Sequence, residues 1–186
     1  DETLINKINS LGDNLALNLI EDFFKNHGFY ILPFSSFLKD CSLPKGFYPE
    51  KKILPSFQKY ILDSAEVGIN LLNTISRFDV GQSAVVSSKL VYAIEGQEGT
   101  DCMIDRAASL SNKNKLITHP GPVLIKIPKI NQNINLDPPV VGFETVRKCI
   151  ENNFSSLVVS SNGTIIFELK KIMNLINAKN FVIYVV

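Results

Sequence analysis

In the stretch Glu95-Gly96-Gln97-Glu98-Gly99-Thr100-Asp101 a carboxylate recurs at every third position, with two glycines and a hydroxyl between them. Carboxylate oxygens beside a hydroxyl suit Mg²⁺, a hard ion that keeps several waters and bridges to phosphate oxygens. If Gly99 or Thr100 opens a helix, the free N–H groups there favour an anion such as a phosphate. The plainer account makes Glu98 and Asp101 complements of a helix dipole and Glu95 a solvated turn residue. Spacing by itself favours that plainer account.

Three more polar clusters stand at the edges of apolar runs: Phe78-Asp79-Val80-Gly81-Gln82, Gly121 to Lys126, and Asp137-Pro138-Pro139-Val140-Val141-Gly142. Asp79 and Gln82 read most simply as a turn before a strand, and Asp137 as a cap ahead of a helix. Lys126 closes an apolar strand, so its ammonium needs a phosphate, a carboxylate or water reached by snorkelling. Neither His27 nor His119 has a Cys or carboxylate at ligand spacing, which argues against zinc. Ser83 lacks the G-x-S-x-G elbow of a serine hydrolase. Cys41, Cys102 and Cys149 are widely separated and form no CxxC pair, as expected of reduced thiols in a cytosolic protein.

The elements that must position these residues follow from periodicity. Leu15, Leu19, Ile20, Phe23 and Phe24 predict a helix from Asp13 to His27, with Asp13 as N-cap, His27 capping its end and Gly28 at the C-cap. Phe29 to Phe34 reads as a strand, and the proline-broken stretch 35–55 as a connecting loop. Phe57, Tyr60, Ile61, Ala65, Gly68, Ile69 and Leu72 form one stripe of a helix over 56–75, with Ser56 as its cap. Ser83–Ser87 and Leu90–Ile94 predict a hairpin around Ser88-Lys89. Helices follow at 100–110, 143–152 and 168–178, and strands at 123–127 and 181–186. Asn162-Gly163 is the strongest hairpin signal, predicting that 157–159 and 164–167 pair. The fold class is α/β, a mixed sheet with flanking helices preceded by a helical linker segment. Residues 1–69 are the linking region and 70–186 the α/β domain.

A length of 186 residues with 45% hydrophobic content can bury a sizeable core, and it is too apolar for a disordered chain. A net charge of +1 leaves no polybasic surface for nucleic acid. No apolar run approaches the roughly 20 residues of a membrane helix. No signal-peptide pattern opens the chain. It begins at Asp1 without an initiator Met, as a trimmed chain would.

Taken in order, the clusters resemble one family, the LpxI-type UDP-2,3-diacylglucosamine pyrophosphatases of Gram-negative lipid A synthesis. The matching strings are Phe78-Asp79-Val80-Gly81-Gln82, Glu98-Gly99-Thr100-Asp101, Val123-Leu124-Ile125-Lys126, and Asp137 to Gly142 followed by Glu144-Thr145-Val146. Gly12-Asp13 and the helix after it resemble the family's middle segment. The match is to the family's carboxyl-terminal portion, and its glycine-rich amino-terminal domain has no counterpart here. Asn133 and Asn135 stand where the family usually has a carboxylate and an Arg, leaving Lys129 or Arg147 to supply that positive charge.

The resemblance implies Mg²⁺-dependent hydrolysis (Mn²⁺ as a substitute) of UDP-2,3-diacylglucosamine to UMP and 2,3-diacylglucosamine 1-phosphate. It assigns metal binding to Asp79, Glu98 and Asp101, and chemistry to Asp137, Asp101 and Lys126, with Asp137 as general base or further ligand. Substrate contacts fall to Gln82, Gly99, Thr100, Lys129 and Gln132. A cytoplasmic location, transient inner-membrane contact and a homodimer complete the expectation. The alternatives are a non-catalytic binding module and a dimerisation scaffold that pairs through the apolar strand Phe181 to Val186.

Overall fold

The computed structural model describes residues 5, 13–33, 36–38, 40–113 and 120–186. His119 lies outside them. In chain order the elements are α1 (Asp13–Asn26), β1 (Gly46–Tyr48), α2 (Pro55–Ile75), β2 (Ser83–Ser87), β3 (Leu90–Ile94), α3 (Gly99–Lys113), β4 (Val123–Lys126), β5 (Val140–Val141), α4 (Phe143–Glu151), β6 (Ser156–Val159), β7 (Ile165–Ile166), α5 (Leu169–Ala178) and β8 (Val182–Val185).

Strands β2, β4 and β6 are buried at every position, so both faces of the sheet must be covered. Six strands run in the order β1-β8-β6-β4-β2-β3. The central pairs β4–β6 and β6–β8 are parallel, while β1–β8, β2–β4 and β2–β3 are antiparallel. Alternate side chains serve two cores. Val85, Leu124, Leu157 and Ile183 face Met103, Ile104 and Ala107 of α3, Val146 and Cys149 of α4, and Ile172 and Ile176 of α5. Ala84, Val86, Val123, Ile125, Val158 and Val182 face Ile61, Ala65 and Leu72 of α2. The result is a three-layer α/β arrangement in which, among the described residues, α2 covers one side. Gly68 lets α2 sit close: a Cβ there would come within 2.8 Å of the Ile125 side chain. Among the described residues no helix is long and apolar enough to cross a membrane.

Most predicted elements appear within a residue or two of their expected limits. The helix over 56–75 is α2, though Pro55 occupies its first turn and no side chain caps it, because a proline at N1 needs no partner for a missing N–H. The expected division at residue 69/70 falls inside this helix. His27 closes α1 through Nδ1, 2.8 Å from the Phe23 carbonyl, and Gly28 follows at φ +82°.

Four expectations are corrected. Residues 29–33 form no strand; Tyr30 is 90% exposed, and a strand without a neighbour leaves its backbone groups to water. The supposed loop 35–55 contains β1, held by antiparallel pairing of Gly46 to Val185 and Tyr48 to Ile183, a partner far away in sequence. The Asn162-Gly163 turn forms, with Gly163 at φ +106°, yet no hairpin follows. β6 is saturated by β4 and β8, and β7 pairs in parallel with β5 in a separate two-stranded sheet. The carboxyl-terminal strand β8 is no open edge for dimerisation, since β6 and β1 cover its two sides.

Candidate active site

The register collects the candidate residues on one rim. Ser83 at the start of β2 pairs with Lys126 at the end of β4, and Ala84 pairs with Ile94 at the end of β3. Antiparallel β2 thus begins where parallel β4 finishes, so Gln82, Ser83, Glu95 and Lys126 meet at the carboxyl edge. Open α/β sheets bind ligands at that edge. Gly81 is required for the approach, because a Cβ there would lie 2.3 Å from the backbone oxygen of Glu95.

A short polar chain crosses the rim. Lys126 Nζ donates to Thr100 Oγ1 at 2.8 Å, and Thr100 donates its one proton to Glu95 Oε1 at 2.7 Å. The second carboxyl oxygen of Glu95 accepts the backbone N–H of Gln82 at 3.1 Å. Ser83 Oγ stands 3.4 Å from the Thr100 hydroxyl. Lys126 and Glu95 are each only 8% exposed. Burial pushes the Lys126 ammonium below its ordinary lysine range, and the charges of Glu95, Asp101 and Asp137 work against that shift. Burial and the three carboxylates therefore act on the amine in opposite directions, and burial is the larger effect.

The loop after β4 carries a second group. Lys129 forms an ion pair with Asp79, whose backbone is left-handed at φ 52°. Gln132 accepts the Lys129 N–H at 2.9 Å and donates to the Asp137 carbonyl at 2.7 Å and its carboxyl at 3.3 Å. The Gln132 amide thereby fixes the turn that presents Asp137. Asn133 donates to Glu21 and, at 3.3 Å, to Asn18, so α1 braces this loop from outside. Buried Gln82 Oε1 has no hydrogen-bond partner among the described residues.

The sequence-derived candidates separate accordingly. Lys126, Thr100, Asp101, Asp137 and Gln82 come together, and Gly99 opens α3 at φ +78° beside them. Lys129 and Gln132 flank them on the loop. Glu98 turns away: it pairs with Arg106 at 2.5 Å and accepts the Gly96 N–H, and Arg106 holds its carboxyl below the usual range. Arg147 is exposed on α4 between Glu144 and Glu151. Glu95 is corrected from a solvated turn residue to a buried member of the site. The signal that could have found it is Gly81, the residue placed across the hairpin from it. Ser83, read only as a poor nucleophile, is fully buried against Thr100.

Among the described residues, no group of three or more His, Cys, Asp or Glu is placed to hold a metal ion. A closed protein cage for Mg²⁺ does not fit. The charges of Asp101 and Asp137 both bear on Lys126; a single such carboxylate would suffice for an ion that completes its shell with phosphate oxygens and water. A larger cavity, about 940 Å³, lies at the opposite edge between Phe57, Gly121, Phe154 and Phe181. The segments around it precede β4, β6 and β8, so it is remote from Lys126.

Comparison with known proteins follows this geometry. The family described as the LpxI C-terminal domain matches residues 52–184, from α2 to all but the last residue of β8, and therefore the whole rim. A curated relative, UDP-2,3-diacylglucosamine pyrophosphatase LpxI of Caulobacter vibrioides, is 28% identical over 164 residues. The alignment takes in 87% of this chain and 57% of the relative's length.

Proposed function

The chain belongs to the LpxI family through that C-terminal domain, and on this premise we propose that it hydrolyses the diphosphate of UDP-2,3-diacylglucosamine in lipid A synthesis. The products would be UMP and 2,3-diacylglucosamine 1-phosphate. One observation supports this most: a nearly buried lysine at the carboxyl edge, hydrogen-bonded to a threonine at a helix start and ringed by Glu95, Asp101 and Asp137.

An ammonium has three protons, and Thr100 takes one of them. The others serve phosphate oxygens, whose charge grows as the bridging bond breaks. Thr100 has given its own proton to Glu95, so its lone pairs face Lys126 and hold the ammonium at the rim. The first N–H groups of α3, from Gly99 onward, complement the same anion. Asp137 takes a proton from a water whose oxygen attacks one phosphorus of the diphosphate. The bond from that phosphorus to the bridging oxygen then breaks, leaving the β-phosphate on the sugar. Gln82, held at the rim by its backbone N–H to Glu95, orients a substrate oxygen. Mg²⁺ or Mn²⁺ held through Asp101 would neutralise part of the diphosphate charge. Two acyl chains on the substrate favour weak peripheral contact with a membrane surface, in this reading the cytoplasmic face of the inner membrane.

The second reading is a nucleotide-sugar-lipid binding module that needs further sequence for turnover. It is favoured by the 57% share of the relative that this chain spans. The test is release of UMP from the lipid substrate by the purified chain, with Mg²⁺ and then with EDTA. Release that stops with EDTA and returns with Mg²⁺ supports the hydrolase. Binding of the substrate without UMP release establishes the module instead.

A further inference from the structure

The cavity of about 940 Å³ at the edge opposite the rim is as large as small-ligand pockets usually become. Its apolar lining runs from exposed Leu54 through half-buried Ile53 and Phe57 to buried Phe154 and Phe181. Lys51, Lys52 and Lys179 also line it, all exposed and, among the described residues, in no ion pair. No described residue of the lining is acidic. Residues 114–119, which precede Pro120 of the lining, lie outside the described residues; their sequence adds Lys115 and no carboxylate.

Backbone contacts fix one side of this space. A Cβ on Gly121 would lie 1.9 Å from the carbonyl oxygen of Asn153. Ser155 donates its N–H to the Pro122 carbonyl at 2.9 Å and its hydroxyl to the Gly121 carbonyl at 2.5 Å. The Tyr60 hydroxyl of α2 stands 3.0 Å from the same Gly121 oxygen. The segments that enter β4 and β6 are thus tied to each other and to α2. A ligand here meets a wall that is already formed.

We infer that this cavity binds a soluble single-chain amphiphile with an anionic head, its chain along Phe57, Phe154 and Phe181 and its head among the three lysines. The inference does not draw on the hydrolase reading. Charge and apolar surface have to be answered together. An inorganic anion would pair with the lysines and leave the apolar lining to water. A neutral hydrocarbon would cover the lining and leave the lysines unanswered. A second copy docked through this face by two-fold symmetry would set three lysines against the same three. A bilayer surface engages side chains that protrude, and of the large apolar lining residues only Leu54, 70% exposed, does so. The others lie back in the concavity, where one chain can reach them.

Calorimetric titration of the purified chain with decanoate, hexanoate and decanol, each below its micelle concentration, tests the site. Decanoate should bind at least tenfold more tightly than hexanoate, because four further methylenes leave water. The triple variant Lys51→Gln, Lys52→Gln, Lys179→Gln should weaken decanoate about tenfold, the sum of three exposed charge pairs, and leave decanol within twofold. Leu54→Glu, which sets a carboxylate on the exposed lip, should weaken decanoate as well. All four positions are exposed, so both variants should keep the wild-type melting temperature, which separates lost binding from misfolding. Equal affinity for decanoate and hexanoate overturns the site, as does decanoate binding that neither variant changes. Co-sedimentation with phosphatidylglycerol vesicles is the remaining arm. Vesicle binding that needs the three lysines, without chain-length-dependent binding of the soluble carboxylates, makes this face a membrane-docking surface and overturns the proposal.

Discussion

Lys126 and Thr100, twenty-six positions apart, stand 2.8 Å from Nζ to Oγ1, joining the end of β4 to the first turn of α3. The bond has a direction, because the single threonine proton already goes to Glu95. Thr100 can only accept from Lys126, so Thr100 and Glu95 favour a charged amine at a place where burial works against the charge.

Removing that charge should disable the site more than the fold. Lys126→Met keeps the apolar stem in the strand and deletes the ammonium. UMP release should fall on the order of 10²–10³-fold, the usual cost of losing a preorganised group on developing oxyanion charge. Steady-state kinetics beside a far-UV circular dichroism spectrum read both quantities. A rate within threefold of the wild type would remove Lys126 from the mechanism.

The same lysine sets a pH dependence. Its folded pKa lies below the ordinary value because burial penalises the charge. Between that lowered value and about 10.4, the unfolded chain binds more protons than the folded one. Stability from this group therefore rises with pH across that window and is lost as pH falls through it. Activity runs the other way, since phosphate needs the protonated amine. The alkaline limb of the rate profile should fall at a lower pH than an ordinary lysine would give, and should be absent from the residual activity of Lys126→Met.

The acidic residues should divide in two. Asp101→Asn and Asp137→Asn should each lower UMP release by more than about 10²-fold, as expected for groups that act on the reacting phosphate or water. Glu98→Gln should cost less than about tenfold, because Glu98 is occupied by Arg106 on the outside of α3. Mg²⁺ titration of the three variants adds a second readout. Only Asp101→Asn should need markedly more metal for half-maximal rate.

Gly81 should tolerate no side chain. The 2.3 Å approach of a Cβ to the Glu95 carbonyl oxygen is to backbone and cannot be relieved by rotating a side chain. Gly81→Ala should cost about 1–3 kcal/mol or more, and should displace Glu95 from Thr100, so that activity falls with stability. Gly142→Ala is the control. Nothing lies within 4 Å of its Cβ and its φ is −101°, so its effect on denaturant midpoints should stay within about 0.5 kcal/mol.

Much of this was legible in the chain itself. The apolar stripe from Phe57 to Leu72 pointed to a helix, and the runs 83–87 and 123–127 to short strands. Lys126 drew notice because a charge at the end of such a strand must find a partner. Local signals failed where the outcome depended on a distant segment. Asn162-Gly163 made its turn, yet β6 was already paired on both sides, so the expected hairpin had no edge to form on. Gly46–Tyr48 became a strand only because β8 offered one.

The opening carboxylates show the same division. Sequence by itself determined their types, their spacing of three and the glycines that let the chain turn among them. It could not sort Glu95 from Glu98, because identical side chains three positions apart carry the same local information. The register of β2 against β3 and β4 drew Glu95 inward beneath Gly81, while Arg106 drew Glu98 outward. Pairing between strands is a contact between segments far apart in sequence. Only tertiary structure could decide which carboxylate shares a buried rim with Lys126.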